Sequence, residues 1–259
     1  LPNPDAVATC VTQPGRVFAS TTNDGLVELT EQGTRRLGSE LSPRFDRVWG
    51  RMVELPGRGF VLGTDEGLYF VPGEVPDPSR ARLLGVESGL GDFHPIALAR
   101  GVLPGEVIAS DADGRIVCGN LGEEGAARFV ELLSAAERAQ IRDRMGDMIR
   151  TLARGPDGTL WMASRRMLAR LLPEPGPSEV SPPPATGKTR SVAGSRLEFM
   201  EPTQGLATTE VRALWIDPSG RLWVGLIERE VQGAGLEARV VRQMEEAQRR
   251  AVADAGRFP

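Results

Sequence analysis

Short apolar runs broken by polar, glycine-bearing turns recur along this chain. PGRVFAST (14–21), RGFVLGT (58–64), PGEVIAS (104–110), GTLWMAS (158–164) and GRLWVGL (220–226) share one form: a turn, an apolar run, then small residues. Aligning them superposes Phe18, Val61, Ile108, Trp161 and Trp223, spaced 43, 47, 53 and 62 residues apart. Runs of this length between Gly, Pro and Asp read as strands. A second set follows at a glycine turn: TTNDGLVEL (21–29), TDEGLYFV (64–71) and DADGRIVC (111–118). Glycine there supplies the positive φ that a tight hairpin needs. A third set precedes the anchors: RMVEL (51–55), PIALA (95–99), MIRTLA (148–153) and VRALWI (211–216). Each unit is therefore three or four short antiparallel strands.

A period of several strands, starting near 43 to 47 residues, is the mark of a β-propeller. One small sheet cannot bury both of its faces, but sheets stacked around an axis cover one another. The expectation is an all-β propeller of about five visible four-stranded blades, either the whole ring or part of a larger one. The two long spacings hold insertions. Residues 124–145 read as a helix, with Ser134 and Glu137 as a capping box. The Pro- and Ser-dense stretch 173–195 reads as a loop. The propeller is expected over 1–230 and a helical tail over 231–259, with Glu245 and Arg249 at i, i+4 spacing. The fifth copy lacks its glycine-turn strand. Either the N-terminal segment completes that blade, or the ring is unfinished in this chain.

Composition narrows the function classes. A net charge of −4 and a pI near 5.3 disfavour a nucleic-acid partner. No apolar run is long enough for a membrane span. Leu1 opens the chain without the basic and apolar regions of a signal peptide, so a leader has been removed or the chain is a piece of something longer. Cys10 and Cys118 are expected to be small buried residues, not a disulfide framework. One histidine does not make a structural zinc site; no metal and no cofactor is expected. No GxSxG, Walker loop or HExxH occurs, and GKTR at 187–190 is only a fragment of a phosphate loop.

The stretch GLATTEVRALWIDPSGRLWVGL resembles the propeller repeat of two-component regulator sensors through Gly205, Leu206, Val211, Asp217, Gly220, Leu222, Trp223 and Gly225. IRTLARGPDGTLWMAS matches at Asp157, Gly158, Leu160 and Trp161, and FVLGTDEGLY at Gly63, Thr64, Gly67 and Leu68. The resemblance implies a sensor domain in the periplasm or outside the cell that binds a ligand, often a carbohydrate. This chain contains neither the kinase nor the transmembrane helix that accompany such domains. GPDGTLWMAS is also similar to the repeat of virginiamycin B lyase-like propellers, enzymes with a metal and a catalytic His at the central channel. Such chemistry needs a proton-transfer group near neutral pKa and a cation.

The residues to weigh are therefore few. His94, before an inner strand, is a candidate ligand contact; its plainer role is a polar loop residue held by Pro95. Asp24, Asp65, Asp113, Asp157 and Asp217 recur at turns and are expected to bond their own backbone. Trp49 and Trp215 depart from the anchor register and are candidates to face a ligand. The expected function is a non-enzymatic recognition module that senses a ligand or docks a protein partner. Its contacts are expected at Arg47, Trp49, His94 and Glu210, the loop positions before the inner strands, and the tail at 236–254 is a candidate association element. The competing reading is a lyase- or lactonase-type enzyme using His94 and a divalent cation at the channel.

Overall fold

The computed structural model describes residues 6–11, 16–21, 25–37, 52–75, 77–122, 127–146, 148–165, 167–173, 196–200, 209–217 and 219–228. Contacts divide the chain into Leu1–Ile227 and Glu228–Pro259. Apart from the last residue of the final strand, the sheets lie in the first unit.

The turn-and-strand pattern becomes five antiparallel sheets, each with its strands adjacent in chain order. The first holds β1 (Ala6–Val11), β2 (Val17–Thr21), β3 (Gly25–Thr30) and β4 (Gly33–Leu37). The second holds β5 (Met52–Leu55), β6 (Gly59–Thr64), β7 (Gly67–Pro72) and β8 (Arg82–Leu84). The third holds β9 (Pro95–Arg100), β10 (Glu106–Asp111), β11 (Ile116–Leu121) and β12 (Ala127–Glu131). Helix α1 (Ala135–Met145) leads to the fourth, with β13 (Thr151–Arg154), β14 (Leu160–Ala163), β15 (Leu168–Leu172) and β16 (Arg196–Met200). The fifth has, among the described residues, two strands, β17 (Thr209–Ile216) and β18 (Leu222–Glu228). The first strands touch in succession, β1 to β5 to β9 to β13 to β17, and so form the inner ring of a β-propeller.

Alternation along each strand supplies the glue between blades. On β6, Phe60 and Leu62 pack toward the first blade with Phe18 and Leu26, while Val61 packs toward the third with Val107 and Val117. On β10, Val107 and Ala109 face the second blade, and Ile108 faces the fourth with Leu160 and Met162. Such doubly covered strands are buried throughout, as β6 is. Phe18, Val61, Ile108 and Trp161 all lie on second strands and turn toward the following blade. Trp223 holds the same place on β18.

Several expectations change. The helix expected over 124–145 is shorter: Ala127–Glu131 is a strand and the helix runs from Ala135 to Met145. Phe129 pairs with Gly119, where a Cβ would come within 2.6 Å of the Phe129 ring, so the missing side chain makes room for it. The Ser134–Glu137 capping box is present, but it begins the helix and does not lie within one. Among the described residues, β1 pairs with β2 in its own sheet and not with the fifth blade. Asp113 is not the acid that organises its turn. Its backbone N–H donates to Oδ1 of Asp111, which also receives the N–H of Arg115. The tail at 236–254 and residues 174–195 lie outside the described residues, as do Asp24, Arg47 and Trp49. Cys118 is half-buried, not fully buried as expected; it is in no disulfide, and its Sγ donates to Glu106 Oε1 at 3.2 Å.

Candidate functional site

The last residues of the inner strands of blades two to five surround a cavity of about 720 Å³. Its floor is apolar, with Met52, Leu98, Leu152 and Leu214 from four successive blades. Strand register organises its rim. Val53 pairs with Val61, Ala99 with Ile108 and Ala153 with Trp161, each anchor against its inner-strand partner. One residue further along these three strands stand Glu54, Arg100 and Arg154, which all line the cavity. The ladder thus brings one acid and two bases to the same level at one end of the channel. Trp215 joins them from β17 with 58% of its surface exposed.

The loops closing this end are held by carboxylates. Glu106 Oε2 accepts the N–H groups of Val102 (2.7 Å) and Leu103 (3.2 Å). Asp157 Oδ1 accepts from the Thr159 N–H (3.0 Å), the foremost influence holding its carboxyl below the usual range, against opposing burial. Asp217 is the most engaged. Ser219 gives it a hydroxyl (2.6 Å) and an N–H (3.0 Å), Arg221 an N–H (2.9 Å) and Nε (2.6 Å), and Trp223 its indole N–H (3.3 Å). Chiefly through Ser219, these hold the Asp217 carboxyl far below the ordinary carboxylate value although burial opposes them.

The basic groups are less engaged. Arg154 Nε is buried with no hydrogen-bond acceptor among the described residues. The Arg100 side chain is exposed and makes no hydrogen bond or ion pair among the described residues. Glu54 is not free.

The recurring turn aspartates do not form one ring. Asp157 and Asp217 lie between first and second strands, whereas Asp65 and Asp113 lie between second and third, at the other end of the blades. At that other end Thr64 and Asp111 organise the turns. Thr64 Oγ1 donates to the Gly67 carbonyl and accepts the Glu66 N–H. Burial pushes the Asp111 carboxyl up, partly offset by the Arg115 N–H and charge. His94 also lies at that end, exposed, with Nδ1 3.1 Å from the Asp65 carbonyl oxygen. It does not line the channel cavity. Glu210 is the second residue of β17. Among the described residues no three His, Cys, Asp or Glu side chains gather to hold a metal ion. No described helix is long and apolar enough to cross a membrane.

Sheet topology, inner ring and channel cavity together define a β-propeller domain. Solved structures agree on the fold. The chain is similar to the extracellular domain of a hybrid two component system from B. thetaiotaomicron, at 13% identity and TM-score 0.51 over 86% of this chain. It spans 26% of the length of that protein. A gluconolactonase from Xanthomonas campestris matches at 11% identity and TM-score 0.56, over 84% of this chain and 68% of its own. The Cps50 (Swd1) β-propeller domain of Myceliophteria thermophila matches at 10% identity and TM-score 0.52, over 86% and 80%. No family model and no curated protein matches the sequence. The fold is thereby shared with the extracellular domain of a two component system and with a gluconolactonase, and fold alone does not choose between them.

The inner-strand register was not read from the sequence. Its signal was present: the residue one place beyond each anchor's partner is charged in three consecutive copies.

Proposed function

We propose that this propeller is a non-enzymatic recognition module whose contact surface is the channel end formed by the last residues of β5, β9, β13 and β17. The supporting observation is the cavity itself. It is concave, apolar at its floor and ringed by few polar groups, the usual character of a binding site. Glu106, Asp157 and Asp217, which hold the loops at this end, are committed to loop backbone, which suits a rigid surface better than proton transfer. The enzyme reading needs His94 beside carboxylates in the channel, and His94 stands at the opposite end, bonded to a backbone carbonyl. The positions before the inner strands, with His94 and Glu210, form the second candidate surface.

Site-specific photocrosslinking separates the two surfaces. Val102 lines the cavity and is 49% exposed, and Val86 is 79% exposed away from it. A photoreactive residue at position 102 is expected to give a discrete adduct in the native host, and one at position 86 none. Adducts at position 94 in place of 102 would move the contact to the His94 end. Equal labelling at all three positions would sink the reading.

A further inference from the structure

We infer that the channel end takes a carboxylate joined to an apolar or aromatic body, with Arg100 and Arg154 as the groups that hold the carboxylate. This rests on the channel end being the contact surface.

The argument begins with register. Arg100 closes β9 and Arg154 closes β13, each one step beyond the partner of its blade's anchor. Neighbouring inner strands therefore bring two arginines to the lining of one cavity, Arg154 with its Nη2 beside the Gly158 turn. Two cationic residues at one cavity favour an anion there. The acids nearby do not neutralise both: Glu54, at the same level, has an interaction of its own, and among the described residues no ion pair joins it to Arg100 or Arg154. Asp217 is occupied by five donors of its own hairpin, and Glu106 holds the loop after β9. Asp157 lends Arg154 a favourable charge interaction, but Arg154 Nε still has no acceptor. The Arg100 side chain has no partner among the described residues.

A guanidinium presents its donors in a planar fork that matches the two oxygens of a carboxylate. The remaining surface is apolar, from Leu98, Leu152 and Leu214, and the exposed indole of Trp215 adds a flat face. A ligand satisfying all of this carries an anionic group and an apolar or aromatic portion. Such chemistry comes either as a free organic acid or as the acidic and aromatic side chains of a peptide, and both meet the same residues.

Three probes test it on the full chain: acetylated, amidated Glu-Phe-Glu-Phe, its Gln-Phe-Gln-Phe counterpart, and phenylacetate. Binding is read by calorimetry and by tryptophan emission. The Glu peptide is expected to bind at least about tenfold more tightly than the Gln peptide. Arg100→Gln and Arg154→Gln should each erase most of that difference, and Arg154→Lys should keep part of it, since charge remains while the fork is lost. Phenylacetate binding as tightly as the Glu peptide, and lost in the same variants, supports the proposal with a free acid as the source. Glu selectivity with weak phenylacetate binding supports it with a peptide source. Unchanged thermal unfolding midpoints show that the variants fold. Equal affinity for the Glu and Gln peptides, or selectivity that survives both Arg→Gln changes, overturns the carboxylate chemistry while leaving the adduct at position 102 intact. Absence of binding by all three probes up to about 10 mM overturns it too. Loss of that adduct is instead a failure of the channel-end reading.

Discussion

Trp215 and Trp223 face one another across the β17–β18 hairpin, their ring centroids 6.3 Å apart and their planes tilted by 36°. In earlier blades the corresponding pairs are Val53–Val61, Ala99–Ile108 and Ala153–Trp161. There the inner member is smaller and buried. In the fifth blade both members are large, and they are 58% and 48% exposed. Water-borne quenchers therefore reach these indoles more readily than that of Trp161. Trp215→Phe is expected to remove a larger share of the acrylamide-quenchable emission than Trp161→Phe does. The reverse order in a quenching titration would mean that Trp215 is covered.

Phe18 and Phe60 join the first two blades. Their rings meet edge to face, 5.3 Å apart at 68°, and both are fully buried. Phe60→Ala is expected to cost about 3–5 kcal/mol in denaturant unfolding, because the cavity cannot fully collapse. A double-mutant cycle with Phe18→Ala should show a coupling of about 0.5–1.5 kcal/mol. Strict additivity of the two changes would show that the blades do not depend on this pair.

Glu28 is a buried carboxylate between two arginines, accepting from Arg16 Nε at 2.7 Å and Arg35 Nη2 at 2.6 Å. Burial pushes its carboxyl up, but the two arginines outweigh that and hold it below the ordinary value. The depressed pKa in the folded chain stabilises above the unfolded-state value, and that contribution is lost as pH falls through the folded one. Glu28→Gln should cost about 1 kcal/mol near pH 7, discounted for the exposure of Arg35. The gap from the parent should close on acidification below about pH 4.5. A gap that stays constant from neutral to acid pH would remove the charge from the explanation.

Ser134 caps α1. Its N–H donates to Glu137 Oε2 at 2.8 Å, and its hydroxyl accepts the Glu137 N–H at 3.3 Å. The helix buries Ile141 and Met145 between the third and fourth blades. Ser134→Ala should lower stability by about 1 kcal/mol, with faster amide exchange concentrated in 135–145. Uniform acceleration across the blades would show that helix and sheets open together.

The strand pattern was legible because each run carries its own hairpin chemistry. Gly67, at φ 130°, and Gly114, at φ 77°, stand in the turns where positive φ was expected. All five anchors fall on second strands for the same reason. The outer strands β4, β8, β12 and β16 were harder to see. GTRRL and ARFVE are polar on their outer faces, and ARFVE also sits beside a true helix, whose pattern spread over it. His94 drew attention as a lone histidine, but side-chain type says nothing about which end of a blade a loop occupies.

The order of turns and apolar runs was enough to determine repeated antiparallel sheets and their mutual burial, since hairpins are local and small two-faced sheets must be covered. Only the tertiary structure decided that β1 stays in its own sheet and that Arg100 and Arg154 arrive at one level of one cavity. Those relationships depend on register between strands and on which residues of separate blades share an axis, and both are set by packing across long stretches of chain.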